Sequence, residues 1–432
     1  MTTKSFGDRL DLDVLAAMKR PSGLFWVALT VSSLMFITGL ACWGVQIARG
    51  MGVAGITHPV GWGVYITNFV FWVGIAHSGT LISAVLFLFR ARFRSSFNRS
   101  AEAMTVIAVL TAGLFPLIHL GRTWFFYWLF PYPNQRQLWA NFRSPLEWDV
   151  WAVTTYLTIS AIFFFVGLIP DLAIVRQHAT GLRKKVYSAL SLGWKGTSKQ
   201  WSHYAKLYMF LAAFATPLVI SVHSVVSWDF AMSVIPGWHT TIFAPYFVAG
   251  AIFSGTAMVM TLVIPMRKIL GLEKYITVDH FERLAKVMLF TSLIVSFSYA
   301  VEWAMAYYSG NPYETFHFSF RLLGDYRYFY WMMVLCNSIL PLLVFFKKFR
   351  SNLKLLFVLS IFVNIGMWLE RFVIIVTSLA RDYDPNNWGN YYPSLIEVGI
   401  TVGSFGMFFT FFLIFTKVLP VLSVTEVKEQ QS

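Results

Sequence analysis

The chain has 432 residues, of which 57% are hydrophobic, 18% aromatic and only 12% charged. A soluble domain carries roughly 25% charged residues. Half that share, with 42 Phe, 19 Tyr and 17 Trp, cannot cover a water-facing surface, which excludes a soluble enzyme, a disordered chain and a secreted disulfide scaffold. The formal charge of +14 is to be read against membrane topology before nucleic acid.

The first twenty residues carry Lys4, Asp8, Arg9, Asp11, Asp13, Lys19 and Arg20, too much charge for a signal peptide. Ten runs long and apolar enough to span a bilayer follow, at about 22–48, 60–89, 102–121, 148–170, 204–228, 241–266, 282–308, 328–346, 354–379 and 393–417. The fold class expected is an all-α polytopic membrane protein with both termini on one side. If that side is the cytoplasm, 26 of the 34 basic residues fall in cytoplasmic segments, the asymmetry that sets orientation. The two cysteines, Cys42 and Cys336, stand alone in apolar runs, without metal spacing.

The longest outer connection, about 122–147, is aromatic and proline-containing, which suits a docking surface or a lid over a site. The second run contains Gly74-Ile75-Ala76-His77-Ser78-Gly79-Thr80. The sixth contains Gly250-Ala251-Ile252-Phe253-Ser254-Gly255-Thr256, 176 residues later. The echo predicts two related four-helix bundles, runs 2–5 and 6–9, with runs 1 and 10 flanking. The plain alternative is that small residues recur wherever helices pack closely. The organisation expected is therefore a cytoplasmic segment 1–21, flanking helix 22–58, first bundle 59–228, second bundle 229–379, and flanking helix with cytoplasmic tail 380–432.

Ionisable residues at membrane depth are costly, and each is a candidate for function. Most fall in the outer half: His119 and Arg122, Asp149, His223 and Asp229, His239, Glu302, Glu370 and Arg371, and Glu397. The inner half reads as sparse, with His77 and Asp171. Each has a bland reading. Arg122, Asp149 and Asp229 can be interfacial helix ends, and His77 a hydrogen-bonded packing histidine. Glu370 and Arg371 can belong to a structural ion pair with another helix, since neighbours in sequence do not face one another on a helix. A haem needs two facing histidines at one depth, and counting residues puts His77 and His223 at different depths. The expectation is no haem and no metal in this chain.

A histidine and a carboxylate at the outer edge of apolar helices suit quinol oxidation. The ring needs an apolar slot open to lipid, and its two hydroxyls need proton acceptors. The electrons then need a carrier on a partner docked at the outer face.

The stretches WVGIAHSGTLISA (72–84), LFPLIHLGR (114–122), FRSPLEWDVWAVTTY (142–156) and VVSWDFAMSVIPGWHTTIFAPYFVAG (225–250) resemble the NrfD/PsrC-like family of membrane quinone-reactive subunits, most of all the ActC-type subunits of bacterial alternative complex III. The likeness spans about residues 20–420. It implies oxidation of menaquinol or ubiquinol near the outer face of the bacterial cytoplasmic membrane. It implies an iron–sulfur partner, multihaem cytochromes, a paralogous NrfD-type subunit and surrounding lipids, with no nucleic acid. The pattern places the quinol-binding pair on His119 and Asp149, and the site extends to Arg122, Asp229, His77 and Trp124. Phe125 and Trp148 are further walls for the ring. Coupling to proton translocation would implicate Asp171, His223, Glu302, Glu370 and Arg371. Two rivals from other classes are a secondary transporter, which needs broken helices at mid-membrane, and a structural anchor for a redox complex.

Overall fold

The computed structural model describes residues 6–19, 21–131 and 143–429. Lys4, Arg20 and Arg136, and the middle of the outer connection, residues 132–142, lie outside them. The described residues contain helices and no strand. In chain order these are α1 (Phe6–Lys19), α2 (Gly23–Arg49), α3 (Val64–Leu88), α4 (Asn98–His119), α5 (Pro145–His178), α6 (Gly181–Leu190), α7 (Ser198–Ala231), α8 (Phe243–Ile269), α9 (Val278–Tyr308), α10 (Pro312–Leu323), α11 (Arg327–Phe345), α12 (Leu353–Ala380), α13 (Leu395–Val418) and α14 (Val424–Glu429). Ten of them are long and apolar enough to cross a membrane: α2–α5, α7–α9 and α11–α13. The ten apolar runs of the sequence map onto these ten. Two helices outrun the apolar stretch: α5 continues to His178 and α7 begins at Ser198. A reciprocal cap between Thr197 and Gln200 sets that early start.

Helices α3, α4, α5 and α7 pack into one bundle, and α8, α9, α11 and α12 into a second. The bundles join where α3 lies against α8, while α2 and α13 pair with each other and flank the outside of α3 and α4. Lipid gives no hydrophobic drive between helices, so close backbone approach has to do the work. Gly39 of α2 sits directly against Gly403 of α13, and Gly406 sits against the Ser32 carbonyl, with no room for a side chain. The repeated glycines serve two ends. Gly79 lies against Ala101 and Thr105, and Gly255 against Ser78 and the Ile75 carbonyl, which is close packing. Gly74 and Gly250 instead both border the guanidinium of Arg371.

The two ends of the chain meet. Lys428 pairs with Asp11 at 2.7 Å, and Lys417 donates to the Ala17 carbonyl at 2.7 Å. This end of the bundle is not sparse in ionisable groups, contrary to the sequence reading. Arg99 pairs with Glu102 at 2.8 Å and Asp171 at 2.9 Å, all three buried. It also donates to the Gly167 carbonyl at 2.7 Å. Tyr208 donates to Glu102, Thr425 donates to Asp171, and Arg94 reaches Glu426 at 2.8 Å. Arg94 and Arg99 look like loop charges in sequence. The chain between α3 and α4 folds them inward, where buried carboxylates meet them.

Removing one partner of a buried ion cluster leaves the others uncompensated, at a cost of about 3–5 kcal/mol. Arg99→Ala is expected to lose that much stability. The triple change Arg99→Leu, Glu102→Gln, Asp171→Asn should recover most of it. Thermal unfolding in detergent, followed for both variants, checks the order.

Candidate functional site

The start of α3, the end of α4 and the start of α5 border a cavity of about 220 Å³. His119 of α4 and Asp149 of α5 both line it, and Trp62, Ile66 and Phe69 at and beyond the start of α3 form its back wall. Local sequence puts the two polar groups there. Pro145 starts α5 with Asp149 in its second turn, and Gly121, at φ +70°, stops the chain just beyond His119. An added Cβ at Gly113 would meet nothing, so the missing side chain leaves the α4 wall open. Asp149 is 5% exposed. Neither of its carboxyl oxygens, nor His119 Nδ1, has a hydrogen-bond partner among the described residues. The Asp229 carboxyl of α7 lies beside that of Asp149. His119 and Asp149 thus line one mostly apolar space, with the Asp149 carboxyl against that of Asp229.

The other expected site residues distribute differently. Arg122 is exposed and does not line the cavity, and among the described residues it makes no ion pair with Asp149. Trp124 is 57% exposed, on the short helical turn Thr123–Leu129, whose Leu129 alone reaches the cavity. Phe125 stacks on Trp128, and Trp148 packs edge-on against Trp228. The aromatic residues that line the cavity are Trp62 and Phe69. Trp62 in turn stacks on Trp238 at 5.7 Å between ring centroids.

His77 belongs to a separate buried cluster between the two bundles. Its ring stacks on Tyr156 at 4.9 Å and lies 4.5 Å from that of His223. The two histidines are thus at one depth, not two. Depth counted along a run assumes straight helices. Here α3 opens into a wide turn at Leu81–Val85, and α7 carries Pro217. Beyond His223, Arg371 packs over Phe247 and forms an ion pair with Glu370, their long side chains meeting although they are adjacent in sequence. Glu370 accepts from Tyr299, and the Asn337 amide donates to Tyr299 Oη at 3.0 Å. A second wide turn, Val373–Thr377, follows Arg371 closely, the kind of helix irregularity that accompanies functional sites.

Two further expected residues lie elsewhere. Asp171 sits in the Arg99 cluster. Glu302 lines a small chamber with Tyr246, Tyr299 and Arg321. Arg321 comes from α10, where His317 accepts or donates at Ser378 Oγ over 3.2 Å. Burial, with Arg321 alongside, pushes the His317 imidazole well below its ordinary value. His239 is exposed, while buried Glu397 is fully engaged by Gly55, Tyr391 and Ser394. No group of three or more His, Cys, Asp or Glu with metal-ligand placement occurs among the described residues.

Sequence reasoning missed Trp62 and Gly113, which line the cavity.

The family model described as "Polysulphide reductase, NrfD" matches residues 52–381. The chain belongs to the NrfD family of multi-pass membrane proteins. It is 26% identical to a putative membrane subunit of dimethyl sulfoxide reductase from Halobacterium salinarum, over 87% of this chain and 86% of that one. It is 23% identical to the integral membrane subunit of menaquinone reductase of Nitratidesulfovibrio vulgaris, over 83% and 84%. It is 19% identical to the integral membrane subunit of an Hdr-like menaquinol oxidoreductase of Archaeoglobus fulgidus, over 92% and 95%.

The open face at Gly113 has a direct test. In a Cys42→Ser background, Gly113→Cys should react with a lipid-soluble maleimide, while Cys336, 0% exposed, stays unmodified. Mass spectrometry of labelled membranes reads both sites. A Gly113→Cys thiol that stays as unmodified as Cys336 would mean that the cavity is closed.

Proposed function

We propose that this chain is the quinol-oxidising membrane subunit of a multisubunit oxidoreductase, with menaquinol or ubiquinol bound between α3, α4 and α5. The observation that carries the reading is that His119 and Asp149 line one mostly apolar cavity. The names of the relatives support it, since two of them are membrane subunits of menaquinone or menaquinol enzymes.

Quinol oxidation yields quinone, two protons and two electrons. His119 and Asp149 each accept a hydrogen bond from one hydroxyl and take its proton as the electrons leave. Asp229, beside Asp149, is the next proton acceptor. Trp62 and Phe69 hold the ring, and the isoprenoid tail leaves past Gly113 into lipid. Arg122 and Trp124, outside the cavity, act at its rim. The electrons pass to an iron–sulfur partner docked at the outer face, and from there to a multihaem cytochrome. The membrane part is completed by a paralogous NrfD-type protein.

Orientation follows the basic residues. With both termini cytoplasmic, the cavity opens at the periplasmic side of the bacterial cytoplasmic membrane. The stretches around His119, Asp149 and Asp229 support an ActC-like role in an alternative complex III. The reading extends to proton translocation. His77 lies against His223, and Arg371, Glu370 and Tyr299 form a second linked group, with the Phe247 ring against both His223 and Arg371. Asp171 and Glu302 lie in polar clusters beyond these.

His119→Ala and Asp149→Asn are each expected to lower quinol turnover of the assembled complex by about 100-fold or more, the usual worth of a positioned acid–base group. Wild-type turnover in both, at unchanged complex yield, would sink the site and favour the structural-anchor reading. Gly113→Leu fills the slot and should raise KM for quinol about tenfold, the scale on which an apolar pocket discriminates small changes in shape; steady-state kinetics over a quinol series measures it.

A further inference from the structure

We propose that Gln46 of α2 and Tyr65 of α3 are positioning residues for His119, which makes the flanking helix part of the quinol site. The inference rests on the quinol reading above and deepens it. Neither side chain lines the cavity, so neither touches the substrate. Both are fully buried, at 0% exposure.

Their contacts converge on the end of α4. The Gln46 side-chain amide donates to the Ile118 carbonyl at 2.8 Å, one residue before His119. The Gly121 backbone N–H donates to the same carbonyl at 3.1 Å. The other end of the Gln46 amide accepts from the Tyr65 hydroxyl. The Tyr65 ring then stands edge-on to the His119 imidazole, with centroids 6.5 Å apart and planes at 73°.

Each link constrains the next. Helix ends leave carbonyls without helical partners, and in lipid such a group has to be met by protein. The Gly121 N–H already meets the Ile118 carbonyl, and Gln46 adds a second bond from a different helix, which fixes the peptide that carries His119. Its remaining acceptor is used to hold Tyr65, whose ring blocks one side of the imidazole. His119 is thereby turned without any hydrogen bond to its own Nδ1, which stays free among the described residues. A polar side chain that only glued helices together would have no reason to end on this peptide and this ring. Tyr65 also sits one residue from Ile66 and three from Trp62, both cavity walls. The same two side chains therefore tie the back wall to the acceptor.

The test uses the purified intact complex and compares Tyr65→Phe, Gln46→Met and His119→Ala with wild type. Tyr65→Phe keeps the ring and removes only the hydroxyl. Gln46→Met keeps the volume and removes the amide. The readouts are complex yield, thermal midpoint, kcat and KM for a short-chain quinol, and the pH–rate profile. The expected result is a loss of kcat/KM of roughly ten- to a hundredfold in both, as for a displaced catalytic group, with a displaced pH profile and a midpoint close to wild type. Wild-type kinetics and pH profile in both variants, in a preparation where His119→Ala is inactive, overturns the positioning role and leaves the quinol reading standing. A lowered midpoint with kcat, KM and profile unchanged per assembled complex makes the pair structural, which also overturns it. Activity retained in His119→Ala removes the quinol reading itself, and the positioning role with it.

Discussion

Polar groups that this chain buries in the bilayer have to find their partners inside the protein, because lipid offers none. That constraint organises the structure. At the end where the chain termini meet, Arg99, Glu102 and Asp171 close on one another and on a backbone carbonyl. Between the bundles, Arg371 meets Glu370, which meets Tyr299. On the opposite side of the first bundle the pattern changes. Asp149 and His119 line a mostly apolar space.

The architecture gives those two residues different neighbours for a reason. Helices in lipid are drawn together by close contact of small side chains and by polar links. Gly39 with Gly403, and Gly255 with Ser78, bring the flanking pair and the two bundles into backbone contact. Where α4 and α5 diverge, Gly113 has no facing atom within reach, and a slot remains. The flanking pair is held at its outer end by Glu397, which ties Gly55 and Tyr391 together, and Gln46 carries that rigidity to the peptide before His119.

Much of this was legible from residue order. The charge deficit, the ten apolar runs and the basic segments follow from hydropathy, because one helix crossing needs a fixed length of apolar chain. By the same logic His119 and Asp149 were two among several polar residues where polarity is expensive, and the family resemblance is what paired them. The stretches around them carried the family resemblance, and the family match over residues 52–381 agrees with it. The tryptophans show the limit. Trp124 is as aromatic as Trp62 and adjoins His119 more closely in sequence, yet it faces outward while Trp62 walls the cavity.

What the sequence determined by itself is the number of spans, part of the set of costly buried groups and the family, because composition and local order carry those signals. What only the tertiary structure decided is which of the costly groups meet. His77 finds His223, Arg371 finds Glu370, and Asp171 finds Arg99 rather than a path along α5. Position along a helix gives depth at best. Rotation about the axis, bends such as those at Pro217 and Leu81–Val85, and the choice of neighbouring helix come from packing of the whole bundle.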